Sequence, residues 1–175
     1  MIRNRAEVLL LGYGNPGRMD DGVGAAFSEV LESMVPVGVS VEVDYQLTVE
    51  HAAAAAEHQY VVFVDAAVVG QEPFFFRRVR AGSETAFSTH SVAPEAVLGM
   101  AREFFGRMPE GYALGIRGYS FDEFGETLSE GAQRNLMAAL QFFLPVLEQR
   151  SFASAAAHDE TDAWNGEAKC ETENT

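Results

Sequence analysis

At 175 residues, 47% of them hydrophobic, the chain is long enough to bury one substantial core. Its formal net charge of −14 argues against nucleic acid or an anionic membrane as the main partner. The single cysteine, Cys170, excludes a disulfide framework or a cysteine metal cluster within one chain, and no apolar stretch reaches the length of a membrane span.

Met1-Ile2-Arg3-Asn4-Arg5 runs directly into an apolar stretch without the features of a signal peptide, so a cytoplasmic protein is expected. Val8-Leu9-Leu10-Leu11 is short and unbroken, as in a strand buried on both faces. Beyond a glycine-rich turn, Ala26, Phe27, Val30 and Leu31 recur at helical spacing over Ala25 to Leu31. Val39, Val41 and Val43 then alternate with polar residues in a strand ending at Asp44. Thr48 is placed to cap a short helix through Ala56, whose His51 and His58 are expected at the surface. They lie seven residues, about 10 Å, apart along the helix axis, too far to share a metal.

Tyr60-Val61-Val62-Phe63-Val64 is the next buried strand, closed by Asp65. Pro73 to Arg80 reads as a strand with a basic outer side. Ser88-Thr89-His90 leads into a helix that begins near Pro94 and stops at Gly106. Tyr112 to Tyr119 makes the final strand, and Ser129 caps a last helix with an apolar stripe from Leu136 to Leu147. Residues 151–175 carry six acids against Lys169, a net of −5 that leaves −9 on the body. They show no hydrophobic periodicity and are expected to form a disordered acidic tail after a folded domain of residues 1–150.

Strands alternating with helices predict an α/β protein: a three-layer sandwich with a mostly parallel central sheet and helices on both faces. Ligands of such sheets collect beyond the carboxyl ends of the strands, where the first turn, Gly12-Tyr13-Gly14-Asn15-Pro16-Gly17-Arg18-Met19-Asp20-Asp21-Gly22-Val23-Gly24, is expected. Gly12, Gly14 and Gly17 match the dinucleotide fingerprint, and Asp44 stands where a ribose-binding acid would. Asp20 and Asp21, however, occupy the helix start, where carboxylates repel a pyrophosphate and suit a cation better. One of them as a simple helix cap is the plainer alternative. Asp21, Asp65 and His90 can converge at one end of the sheet, and two carboxylates with an imidazole suit a divalent first-row metal. His90 stands among small hydroxyl residues able to fix its tautomer, though a lone loop histidine is more often polar surface.

Gly12-x-Gly14-Asn15-Pro16 with Asp20-Asp21-Gly22-x-Gly24, then Val64-Asp65-Ala66 and Ser88-Thr89-His90, resembles the hydrogenase maturation protease family. The resemblance continues through Gly115-Ile116-Arg117-Gly118 and covers roughly residues 6–149. It implies an aspartyl-type endopeptidase that removes a C-terminal extension from the large-subunit precursor of a nickel–iron hydrogenase after nickel insertion. By motif, Asp21, Asp65 and His90 become both the catalytic and the metal-contacting residues, and nickel is presented by the precursor. The implied partner is that precursor, with no nucleic acid or membrane, and a monomer is expected. Gly17 stands where many members carry a larger apolar residue, and Tyr45-Gln46-Leu47 replaces a more usual Asp-Gly-Gly type of segment. Two alternatives remain: a non-catalytic nickel-sensing chaperone, which would use the same three residues, and a dinucleotide-binding oxidoreductase, favoured only by the glycines.

Overall fold

The unbroken apolar run Val8-Leu9-Leu10-Leu11 forms the heart of β1 (Val8–Tyr13), and all four residues are buried. Their side chains alternate between two cores, as the strand period requires. Val8 and Leu10 enter one apolar cluster, Leu9 and Leu11 the other. In the computed structural model, residues 6–34, 36–82 and 92–157 are described. β1 pairs in parallel with β2 (Val39–Asp44) and β3 (Tyr60–Ala67), and β3 with β5 (Glu110–Arg117). β4 (Phe74–Val79) runs antiparallel to β5 at the edge, giving the order β2-β1-β3-β5-β4.

One face of this sheet is covered by α1 (Val23–Ser33), α4 (Glu130–Gln149) and α5 (Phe152–Ala156). The other carries α2 (Glu50–Ala56) and α3 (Pro94–Phe105). The expected three-layer α/β sandwich is therefore present. On the α4 face, Phe27, Phe143 and Phe152 are wholly buried. Each such side chain contributes about 1.5–3 kcal/mol by leaving water. Local signals set several helix ends. Pro94 starts α3, and Gly106, in the left-handed region, stops it. Ser129 caps α4 by accepting the Ala132 N–H.

Three boundaries move. The first helix starts at Val23 rather than Ala25, after a single 3-10 turn over Met19–Gly22, so Asp21 precedes it instead of opening it. The last strand runs from Glu110 to Arg117, two residues earlier than its hydrophobic pattern implies. Most consequentially, the folded body continues past residue 150. Phe152 packs its ring 5.0 Å from Tyr60 and 5.5 Å from Tyr112, which anchors α5 to the sheet. An isolated aromatic in an alanine-rich stretch carries no periodicity, but alanine favours helix and the ring supplies the burial. Residues 158–175, the rest of the expected tail, lie outside the described residues.

Candidate active site

The chain leaves β1 in one direction and β3 in the other, so the carboxyl ends of these neighbouring strands form the switch point where open α/β sheets bind ligands. Glycines let the backbone close tightly there. A Cβ on Gly24 would lie 2.5 Å from the Val64 carbonyl oxygen and 2.6 Å from that of Tyr13, so α1 begins directly over both strand ends. Gly14 has φ of 127°, which side chains resist, and a Cβ there would meet the Asp21 carbonyl oxygen at 2.0 Å. The same position lies 3.7 Å from Asp65 Oδ1.

Gly14 is thus wedged between Asp21 and Asp65, and the structure brings these two expected site residues to one small region. The partly exposed Asp21 accepts the Asn15 N–H on Oδ2 at 2.8 Å. The buried Asp65 accepts the Ala66 N–H on Oδ1 at 2.7 Å. These backbone donors each hold one oxygen of the two carboxylates in place. The third expected residue, His90, lies outside the described residues, and among those described no group of three metal-capable side chains forms.

Backbone hydrogen bonding within the turn bears on the dinucleotide alternative. Gly14 N–H donates to the Asp44 carbonyl, Asn15 N–H to Asp21, Gly17 N–H to Asn15 Oδ1 and Arg18 N–H to the Asn15 carbonyl. Met19, Asp20 and Asp21 donate to the carbonyls of Gly125, Ser120 and Arg18. A phosphate-binding turn presents such donors to its ligand. Here they are turned inward, and Asp21 occupies the place of the anion.

Three residues near this site have roles that the sequence did not disclose. Asp20 is wholly buried and caps no helix. Its Oδ2 accepts the N–H of Tyr119 at 2.8 Å, the N–H of Ser120 at 3.0 Å and the hydroxyl of Ser129 at 2.6 Å, while Oδ1 accepts the Ser129 N–H at 2.7 Å. Burial alone would raise its pKa, but these four donors outweigh that and hold the carboxyl below its usual range. Tyr13 is shifted the other way. Burial, then the negative charges of Asp65 and Glu95, push its phenol well above the ordinary value.

The third is His51, which is buried rather than on the surface. Its Nδ1 accepts the Thr48 N–H at 2.9 Å, and its Nε2 stands 3.9 Å from Asp44 Oδ2. Thr48 therefore serves this imidazole and does not cap α2, whose N-cap position is Val49. His58 is also half-buried, with its two ring nitrogens against the Ala54 carbonyl and the Ser40 hydroxyl. Packing of α2 on the sheet, which no seven-residue spacing reveals, accounts for both.

No protein-family model and no curated protein sequence matches the chain. Solved structures do. The hydrogenase maturating endopeptidase HybD from E. coli superposes with a TM-score of 0.65 at 24% identity, over 82% of this chain and 93% of that one. The [NiFe] hydrogenase maturation protease HycI from Thermococcus kodakarensis gives 0.63 at 23% identity, over 83% and 95%. The hydrogenase 2 maturation peptidase from Thaumarchaeota archaeon SCGC_AB-539-E09 gives 0.60 at 22% identity, over 81% and 97%. The chain has the α/β fold of these hydrogenase maturation endopeptidases.

Proposed function

We propose that this protein is an endopeptidase of hydrogenase maturation, removing the C-terminal extension of a nickel–iron hydrogenase large-subunit precursor once nickel is in place. The observation that carries the reading is the position of Gly14 at the switch point of the fold, between the Asp21 backbone carbonyl and the Asp65 carboxylate. In this reading the two carboxylates and His90 contact nickel that the precursor already holds. The ion belongs to the substrate, and cleavage proceeds with its assistance through a polarised carbonyl or an activated water. Asn15 and Ala66 hold the carboxylates in position through their N–H groups. Two carboxylates and one imidazole bind nickel more weakly than a thiolate-rich centre, so in this reading the free protein carries little nickel. The same reading has it act as a monomer, in the cytoplasm, on a loaded precursor.

Purified protein and precursor, each prepared with and without nickel, are mixed in all four combinations and precursor cleavage is followed by mass spectrometry. Cleavage is expected only where the precursor carries nickel. Cleavage of a verified nickel-free precursor by preloaded protein, without transfer of the ion, would overturn the checkpoint in favour of a peptidase with its own catalytic metal. Nickel-dependent binding without cleavage would make the protein a nickel-sensing chaperone.

A further inference from the structure

Peptide hydrolysis turns a carbonyl oxygen into an oxyanion, and a site that performs it offers that oxygen hydrogen-bond donors. The described part of the candidate site is rich in acceptors instead. Asp21 and Asp65 bring carboxylates, and the backbone donors of the glycine-rich turn are already engaged. From Gly14 to Asp21 every N–H bonds to an oxygen of the protein, Pro16 having none to give. The Ala66 N–H of β3 goes to Asp65 Oδ1.

Tyr13 brings a donor to the same place, at a position that the Gly12-x-Gly14 motif leaves open. β1 and β3 pair in register as far as Gly12 and Val64, and Tyr13 and Asp65 are the next residues on each strand. Neighbouring strands lie about 4.8 Å apart, so these two residues stand side by side. They also share a face. Leu9 and Leu11 of β1, with Val61 and Phe63 of β3, enter the cluster beneath α2 and α3, and Tyr13 packs against it. The strand period turns Asp65 the same way. On the other side of Asp65 the register continues to Gly115 of β5, where a Cβ would collide with the Phe75 ring. Asp65 thus stands in a row between two aromatic residues, of which Tyr13 alone carries a hydroxyl.

Arg77 is a poorer candidate for the donor. It lies opposite Ala113, two residues short of Gly115, with its guanidinium 3.6 Å from Glu95 and 5.9 Å over the Phe75 ring. The Tyr13 phenol is kept protonated by burial, then by the charges of Asp65 and Glu95, so it carries a proton to donate.

We propose that the Tyr13 hydroxyl is a catalytic donor of this site, hydrogen-bonding the carbonyl oxygen of the scissile peptide bond as it becomes an oxyanion. The proposal rests on the endopeptidase reading and adds a donor to it. Tyr13 keeps its proton throughout. Water adds to the carbonyl carbon, the C=O π pair moves to the oxygen facing Tyr13, and collapse breaks the C–N bond. Both protons of the water end on the departing amine, leaving a carboxylate and an ammonium group.

The test is single-turnover cleavage of nickel-loaded precursor by the parent protein and Tyr13→Phe, with precursor affinity measured separately and folding followed by circular dichroism. Tyr13→Phe deletes only the hydroxyl, and its cleavage rate constant should fall about 100-fold, the usual loss for one oxyanion donor. Precursor affinity and unfolding midpoint should stay unchanged. Replacing Tyr13 by 3-fluorotyrosine keeps the ring and makes the hydroxyl a stronger donor, so cleavage should be at least as fast as in the parent. Cleavage by Tyr13→Phe at the parent rate would overturn the proposal. A loss of affinity at an unchanged rate would also overturn it, because Tyr13 would then be a binding contact. Slower cleavage with 3-fluorotyrosine would do the same, and it decides the matter even if Tyr13→Phe fails to fold. A parent that binds the loaded precursor without cleaving it would refute the endopeptidase reading and this role with it. A cleaving parent with an equally active Tyr13→Phe would refute the role of Tyr13 alone.

Discussion

Replacing Asp20 by Asn keeps the size of the side chain and removes its charge, which isolates the buried carboxylate as the variable. At present two oxygens accept four hydrogen bonds from Tyr119, Ser120 and Ser129. If the Asn oxygen takes the place of Oδ2, it retains three of them, each weakened by about 1 kcal/mol because the acceptor is no longer ionised. The amide nitrogen then faces the Ser129 N–H, and that unmatched donor costs about 2 kcal/mol. Relief from burying a charge returns roughly 2 kcal/mol. The net loss is about 3 kcal/mol, or about 6–12 °C in Tm for a chain of this length. The pH dependence has a definite sign. Because the folded carboxyl is held below its usual range, its contribution is present above the unfolded value, 3.8, and is lost as pH falls through the folded one. Urea unfolding followed by circular dichroism should therefore show a gap between parent and Asp20→Asn at pH 7 that narrows below about pH 4. Equal midpoints at pH 7, or a gap that persists unchanged to pH 2, would refute the reasoning.

Gly14→Ala should cost about 2 kcal/mol, from the strained φ and the collision with the Asp21 carbonyl, and should abolish precursor cleavage; calorimetry and the cleavage assay check each part. Truncation after Arg150 removes Phe152 and should cost about 3–5 kcal/mol, whereas truncation after Ala157 should leave the unfolding midpoint nearly unchanged; equal midpoints for the two truncations would show that Phe152 contributes nothing. Asp21→Asn, Asp65→Asn and His90→Ala should each abolish cleavage while shifting stability by only about 1 kcal/mol. A folded Asp65→Asn variant with normal cleavage would remove that residue from the site.

The sequence was most informative where the physical cause is local. The apolar run of β1, the glycines that let α1 start over two strand ends, the Ser129 cap and the Gly106 stop all depend on neighbours within a few positions. It also marked Asp21 and Asp65, because strand ends and the turn after β1 can be located from hydrophobic pattern and glycine spacing. The role of Asp20 was hidden, since its donors lie 99 to 109 residues downstream. His51 became buried only through the docking of α2, and Phe152 through rings contributed by β3, β5 and α4. Such contacts arise from topology and leave no periodic trace in the segments that make them.

The adjacent acids Asp20 and Asp21 show why composition at a turn does not define its chemistry. They occupy one 3-10 turn, where successive residues point about 120° apart, so neighbours cannot serve the same partner. Asp20 faces inward and binds the segment from Tyr119 to Ser129, while Asp21 faces Asn15 beside Gly14. Met19 adopts a positive φ of 49° as its N–H donates to the Gly125 carbonyl, and the Gly125 N–H returns to the carbonyl of Gly17. The turn is therefore held from both sides by a segment that joins β5 to α4. One carboxylate fixes the turn and the other is presented at the switch point. Charge removal separates these roles: at Asp20 the response should appear in unfolding, and at Asp21 in cleavage by a protein that remains folded.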